Sequence, residues 1–294
     1  MNKVGFIGVG IMGKSMVRNL MKAGFELHIY ARTKSKVEDV ISEGAQFHES
    51  IKDCVQDCDA VITIVGFPQD VEEVYFDEGN ILDSAKKGAY LIDMTTTSPQ
   101  IAEKIYEEGT KRGFHVMDAP VTGGDTGAKS GTLSILVGGE KEDYEACMPL
   151  IEAMGTNINY QGKAGCGQHC KLANQIMIAG TLSGVCEALT YAKEQGLDPE
   201  VFMKSVATGA AGSKQLDTFG PKILKDDYAP GFFMKHFIKD MKLALIEANR
   251  KGLSLDVLSM VLANYEELEQ EGYGDLGTQA LMKFYDEEHR NTEE

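Results

Sequence analysis

Over the first half of the chain, short uninterrupted apolar runs alternate with stretches of helical periodicity, and the alternation stops near Gly162. Val4-Gly5-Phe6-Ile7 predicts a short buried strand, and Ile11 to Ala23 follows as a helix that closes at Gly24. Glu26 to Tyr30 reads as a second strand, and Lys34 to Ser42 as a second helix ended by Gly44. Ala60 to Val65, Ala89 to Asp93 and Phe114 to Asp118 are further strands, and Ser98-Pro99 opens a helix with a capping hydroxyl followed by proline. Strands that are apolar on both faces and separated by helices predict a parallel, doubly wound sheet, an α/β Rossmann-type N-terminal domain.

Beyond Gly165 no strand is expected. Leu172, Ile176, Ala179, Leu182, Cys186, Leu189 and Ala192 recur at helical spacing up to a stop at Gly196. Pro199 to Ala207, Met234 to Arg250, Leu255 to Gln270 and Thr278 to Glu287 read as further helices. The expected organisation is therefore a dinucleotide-binding domain over residues 1–162. An all-α C-terminal domain for substrate binding and dimerisation would cover residues 163–294, with the long helix packing the two together.

Bulk properties narrow the function. The 294 residues are 43% hydrophobic and 25% charged, ample for a large core. No apolar run is read as approaching the roughly 18 residues needed to span a bilayer. The N-terminus does not read as a signal peptide, so no membrane association and a cytoplasmic location are expected. A net charge of −16 argues against nucleic-acid binding, since phosphate contacts need a basic surface. Cys54, Cys58, Cys147, Cys166, Cys170 and Cys186 make no disulfide framework and lack the two complete ligand pairs of a structural zinc site. They are expected to be reduced thiols used as small apolar side chains, with no bound metal.

Gly8-Val9-Gly10-Ile11-Met12-Gly13 lies directly between the first strand and the first helix, where a dinucleotide fingerprint must lie. Gly8 permits the tight turn, Gly10 admits the pyrophosphate close to the backbone, and Gly13 lets helix and strand pack. The first helical positions, Ile11 and Met12, open the helix end that favours an anion. After the second strand the chain reads Tyr30-Ala31-Arg32-Thr33-Lys34-Ser35-Lys36, with no carboxylate for a ribose 2′-hydroxyl. Arg32 and Thr33, helped by Lys34 or Lys36, suit a 2′-phosphate instead. NADP(H) is therefore the expected cofactor, with NAD(H) the alternative. Val65, after another strand end, is a further candidate cofactor contact.

Four segments together resemble the β-hydroxyacid dehydrogenase family, which includes 3-hydroxyisobutyrate dehydrogenase and tartronate semialdehyde reductase. They are Gly5 to Gly13, Asp118-Ala119-Pro120-Val121-Thr122-Gly123-Gly124 with Ala128 and Gly131-Thr132-Leu133, Gly165 to Gln175, and Phe237-Ile238-Lys239-Asp240-Met241. The resemblance implies an oxidoreductase interconverting a short 3-hydroxy or 2-hydroxy carboxylate and its aldehyde. It implies that Thr122, Gly123 and Gly124 hold the substrate carboxylate, with threonine where serine is usual. It further implies Lys171 as the proton-transfer residue, since hydride reduction of a carbonyl leaves an alkoxide that needs a proton. Lys239 is the expected second cation, serving substrate and cofactor. Asn174 and Gln175 are expected to orient the substrate hydroxyl, and Thr96 to lie against the nicotinamide ribose. Lys171-Leu172-Ala173-Asn174-Gln175 is more similar to the tartronate semialdehyde reductase branch than to the 3-hydroxyisobutyrate branch. The alternatives are 3-hydroxyisobutyrate dehydrogenase itself, an imine reductase, or a non-catalytic NADP-binding module; Lys171 weighs against the last two. The expected partners are a small hydroxy or aldehyde acid and further copies of the chain, as a dimer or tetramer.

Overall fold

The structure, a computed structural model, describes residues 1–285. The chain divides into two compact units, Met1–Lys171 and the chain from Leu172 onward. The boundary falls inside a long helix, Cys166–Glu194, beyond residue 162. The first turn of that helix lies against the end of a strand in the first unit, as the contacts of Gly167 show.

In the first unit, β1 (Lys3–Ile7), β2 (Glu26–Tyr30), β3 (Gln46–Phe47), β4 (Ala60–Thr63), β5 (Tyr90–Asp93) and β6 (His115–Asp118) pair in parallel in the order 3-2-1-4-5-6. That is the Rossmann order, and it brings all their carboxyl ends to one edge, where ligands bind in such sheets. The sheet is not wholly parallel as expected. β7 (Val121–Thr122) and β8 (Leu133–Gly139) follow, and β8 runs antiparallel to both β6 and β7. β9 (Gly155–Gly162) then pairs in parallel with β8. On one face of the sheet Val4, Phe6, Ile29, Ile62 and Ile92 pack against Met16, Val17 and Leu20 of the Ile11–Lys22 helix. On the other face Ile7, Val61 and Leu91 pack against Val71, Val74 and Tyr75 of the Pro68–Phe76 helix. The segment expected as one helix from Lys34 is instead a 3-10 turn, Lys34–Lys36, and a short helix, Glu38–Ser42, separated by the buried Val37.

The second unit is helical, with Pro199–Val206, Lys214–Ile223, Met234–Arg250 and Asp256–Gln270 joining the long helix. Among its described residues the extended structure is one isolated bridge, Phe233 with Gly277. The segment expected as a helix from Thr278 is a 3-10 helix, Thr278–Tyr285, and Glu287 lies outside the described residues. The expectation that no apolar stretch reaches spanning length is corrected at Cys166–Glu194, which by length and composition alone could cross a membrane. It carries the buried polar side chains Gln168, Lys171, Gln175 and Ser183, which mark a core helix of a folded protein. All six cysteines are free thiols, and Cys54, Cys58, Cys147 and Cys186 are buried among apolar side chains.

The helical core centres on Phe237, fully buried and edge-on to Tyr265 with ring centroids 5.4 Å apart. Phe237→Ala is expected to cost about 3–5 kcal/mol through lost burial and the cavity left behind. Denaturant unfolding followed by circular dichroism measures this, and a loss under 1 kcal/mol would contradict the central place given to this ring.

Candidate active site

The dinucleotide loop has the shape a pyrophosphate requires. A Cβ on Gly8, whose φ is +98°, would lie 2.1 Å from the Ile64 carbonyl oxygen, and one on Gly13 would lie 2.2 Å from the Gly8 oxygen. Those two glycines are demanded by packing. Gly10 is different, because a Cβ there would meet nothing within 4 Å. It is the N-cap of the Ile11–Lys22 helix and gives the first helical amides no side-chain acceptor, while Ile11 is exposed and Met12 half-buried. Open space in front of an uncapped helix end fits a bound phosphate.

Arg32 and Thr33 are exposed beyond the end of β2. The segment Tyr30 to Lys36 carries no carboxylate, but the fold supplies two to Arg32 from the Pro68–Phe76 helix. The Arg32 guanidinium donates to Asp70 and, at 2.9 Å, to Glu73. Asp70 also accepts the Phe67 N–H at 2.9 Å, which fixes its carboxylate at the start of that helix.

Around the strand ends a connected set of hydrogen bonds builds the floor of the site. Val65 N–H donates to Thr95 Oγ1 at 3.0 Å. Gln168, with no exposed surface, donates from Nε2 to the Thr95 carbonyl at 2.7 Å and accepts the Thr97 N–H at 3.0 Å. Thr96, half-buried, lies between those two held positions. Asp118, at the end of β6, accepts the Gly165 N–H on Oδ1 and the Gln168 N–H on Oδ2, both at 2.8 Å. It thereby caps the helix that carries Lys171, from a strand 47 residues earlier in the chain. There is no room for alternatives. A Cβ on Gly138 would lie 2.5 Å from Asp118 Oδ1, and one on Gly167 would lie 2.8 Å from Oδ2.

Thr122 ends β7, half-buried, and the exposed Gly123 and Gly124 follow with φ of +130° and +65°. These left-handed angles favour glycine and turn the chain into the short Gly124–Ser130 helix. Asn19, from the dinucleotide helix, donates to the Ala128 carbonyl at 2.7 Å and so ties this turn to the cofactor loop. Lys171 is only 7% exposed and stands three residues after Gln168, on the same helical face by spacing.

The remaining candidates belong to the helical unit. Gln175 is buried, accepts from Asn174 Nδ2 at 2.8 Å on Oε1 and donates to Asp240 Oδ2 at 2.7 Å. Lys239 Nζ is in ion-pair contact with Asp240 Oδ1 at 3.0 Å. Both ends of the Gln175 amide are thus engaged within the protein, by Asn174 and Asp240, and one N–H remains for a further partner. Phe232 and Phe233 are half-buried, the first stacked against His236 and the second edge-on to it.

Known proteins show the same two-part organisation. Residues 3–162 match the NAD-binding domain of 6-phosphogluconate dehydrogenase. Residues 165–285 match the NAD-binding domain of NADP-dependent 3-hydroxyisobutyrate dehydrogenase. The chain belongs to the β-hydroxyacid dehydrogenase family. An uncharacterized oxidoreductase of Bacillus subtilis, YkwC, is 49% identical over 96% of this chain and 98% of its own. The 2-hydroxy-3-oxopropionate reductase of Escherichia coli is 37% identical over 86% of each chain. A Mycobacterium tuberculosis 3-hydroxyisobutyrate dehydrogenase solved with L-serine superposes with a TM-score of 0.88 at 26% identity, over 96% of this chain and 98% of that one. As a member of this family the protein is an oxidoreductase that uses a nicotinamide cofactor, and its named relatives act on small hydroxy acids.

Asp93 and Asp118 are register partners on β5 and β6 and are both buried. Burial raises the pKa of both, and for Asp93 the rise is to about 6, with hydrogen bonds from Thr63 and Thr95 pulling the other way and the neighbouring Asp118 adding to it. A folded pKa above the unfolded value means that the folded protein binds this proton more tightly. Asp93 therefore favours the fold most below about pH 4, and that contribution falls as pH rises to about 6. Asp93→Asn keeps an acceptor for Thr63 and Thr95 and removes the titration. The stability of the variant relative to wild type is expected to rise between pH 4 and 6, by on the order of 3 kcal/mol. Urea unfolding across that range checks it; a difference independent of pH would show that Asp93 ionises normally.

Proposed function

We propose that this protein is an NADP(H)-preferring aldehyde-acid reductase, with 2-hydroxy-3-oxopropionate (tartronate semialdehyde) or a close semialdehyde as substrate and 3-hydroxyisobutyrate oxidation as the alternative. The observation that carries the reading is Lys171. It is a buried cation on a helix that Asp118 caps from the strand leading into the Thr122–Gly124 turn. The identity to the Escherichia coli reductase and the Lys171–Gln175 sequence support the substrate class.

In this reading the substrate carboxylate takes backbone N–H groups of Gly123 and Gly124 and the Thr122 hydroxyl. Gly8, Gly10, Ile11, Met12 and Gly13 cradle the pyrophosphate, Val65 and Thr96 flank the nicotinamide ribose, and Arg32 with Thr33 meets the 2′-phosphate. When bound, the nicotinamide supplies or receives the hydride. Lys171 as an ammonium donates a proton to the oxygen that becomes an alkoxide on reduction, and as an amine takes it back from the hydroxyl in oxidation. An ammonium held in a largely water-excluded place is worth most when negative charge develops beside it, so its effect falls on the transition state. Asn174 orients the substrate hydroxyl, Gln175 holds Asn174 and Asp240 in place, and Lys239 supplies a second positive charge. A homo-oligomeric protein in the cytoplasm is the setting we expect, in keeping with the exposed Met177, Tyr191, Val257 and Met260 of the helical unit.

Lys171→Ala is expected to lower kcat by about 10²–10⁴ with cofactor affinity unchanged, the range for loss of a general acid. Steady-state NADPH oxidation with 2-hydroxy-3-oxopropionate, succinic semialdehyde and glyoxylate, beside NADPH titration, measures both. Activity within tenfold of wild type would take Lys171 out of the mechanism. No turnover of any aldehyde acid by the wild type, despite tight NADPH binding, would favour a binding module.

Cofactor choice has its own test. Arg32→Ala should lower the NADPH-to-NADH ratio of kcat/KM by about tenfold or more, the worth of a lost charge-assisted contact. Glu73→Gln should raise that ratio, because it removes a carboxylate competing for the same guanidinium. A wild-type preference for NADH would overturn the assignment of Arg32.

A further inference from the structure

Gln168 is a buried polar side chain with both ends of its amide bonded, and the chemistry above gives it no task. It has no exposed surface, and its amide spans the chain on both sides of Thr96, donating to the Thr95 carbonyl and accepting from the Thr97 N–H. Its own backbone N–H is held by Asp118 at 2.8 Å. Thr95 is tied once more, through Oγ1, to the Val65 N–H. The loop after β5 is thus fastened to the helix of Lys171 by one side chain and to the loop after β4 by another.

A loop left to itself has to be ordered when a ligand binds, and fixing each backbone residue costs conformational entropy that weakens binding. A side chain that already satisfies the N–H and carbonyl flanking one residue removes that cost for that residue. We propose that Gln168 is a positioning residue for the cofactor. It fixes the Thr95–Thr97 backbone so that Thr96 meets the nicotinamide ribose without rearrangement, and it ties that loop and Lys171 to the same helix. The proposal rests on the assignment of Thr96 to the cofactor made above. It differs from a purely structural staple in what it affects: the cofactor affinity of the folded protein, beyond its stability.

Gln168→Met keeps the length and approximate volume of the side chain and removes both amide hydrogen bonds. The dissociation constant for NADPH, followed by nucleotide fluorescence on the folded variant, is expected to rise about tenfold, the scale set by two neutral hydrogen bonds. The KM for the aldehyde acid is expected to stay within twofold, so the effect falls on cofactor and not on substrate. In the wild type without cofactor, the Thr97 amide is expected to exchange slowly with solvent deuterium. This second measurement decides the matter if the variant does not fold. Unchanged NADPH affinity in a folded Gln168→Met protein, or a fast-exchanging wild-type Thr97 amide, overturns the proposal alone. A wild type that binds neither NADPH nor NADH overturns the Thr96 assignment and this proposal with it.

Discussion

The two hydrogen bonds from Gly165 and Gln168 to the Asp118 carboxylate are the constraint on which the rest of the site depends. A buried carboxylate is costly, and this one is retained because amide donors at the start of a long helix meet both of its oxygens. The glycines around it leave no slack, since a side chain at Gly138 or Gly167 would occupy the carboxylate's place. Three residues beyond Asp118 the chain enters β7, which ends at Thr122 and its glycines. Three residues beyond Gln168 stands Lys171. One carboxylate therefore fixes the turn proposed to hold the substrate and the helix proposed to move its proton relative to each other.

The same economy extends along the edge of the sheet. Val65, Thr95, Gln168 and Asp118 come from four separate places in the chain and form one hydrogen-bonded run, while Asn19 binds the dinucleotide helix to the Gly124–Ser130 helix. In the helical unit Asn174, Gln175, Asp240 and Lys239 form a second run. Hydride transfer leaves little covalent work for the protein, so its contribution lies in groups already aimed at where charge will develop. A site whose polar side chains are fixed by one another before any ligand arrives has met that reorganisation cost in folding.

What could be read from the sequence was what is encoded locally. Gly8, Gly10 and Gly13 declare themselves because a strand, a turn and a helix start within a dozen residues, and Met234–Arg250 because its apolar period is unbroken. β9 was not legible, since Thr156, Asn157, Asn159 and Tyr160 leave it polar and exposed. Nor was the Lys214–Ile223 helix, which contains Pro221. The acids on Arg32 come from 38 and 41 residues away, and the carbonyl and amide that Gln168 holds from 73 and 71. No local pattern announces such pairs. Burial itself demands them: a glutamine in the first turn of a helix, if buried, must find partners for both ends of its amide.

The same demand for partners applies to the amide of Gln175. Read in sequence, Gln175 is a longer amide reaching toward the substrate. In the fold its Oε1 and Nε2 are both engaged, by Asn174 and Asp240, so the longer side chain supports its neighbours. A shorter amide there would leave Asp240, which is fully buried, with one donor fewer while Lys239 remains beside it. On the proposed reading, the identity of residue 175 acts through the placement of Asn174 and Lys239, and Thr122 is the residue proposed to discriminate among substrates. Its extra methyl stands at the end of β7 beside two glycines whose left-handed backbone leaves the turn little freedom to adjust. If Thr122 holds the substrate carboxylate as proposed, a substrate carrying bulk there has to be accommodated against that methyl, and a smaller aldehyde acid does not.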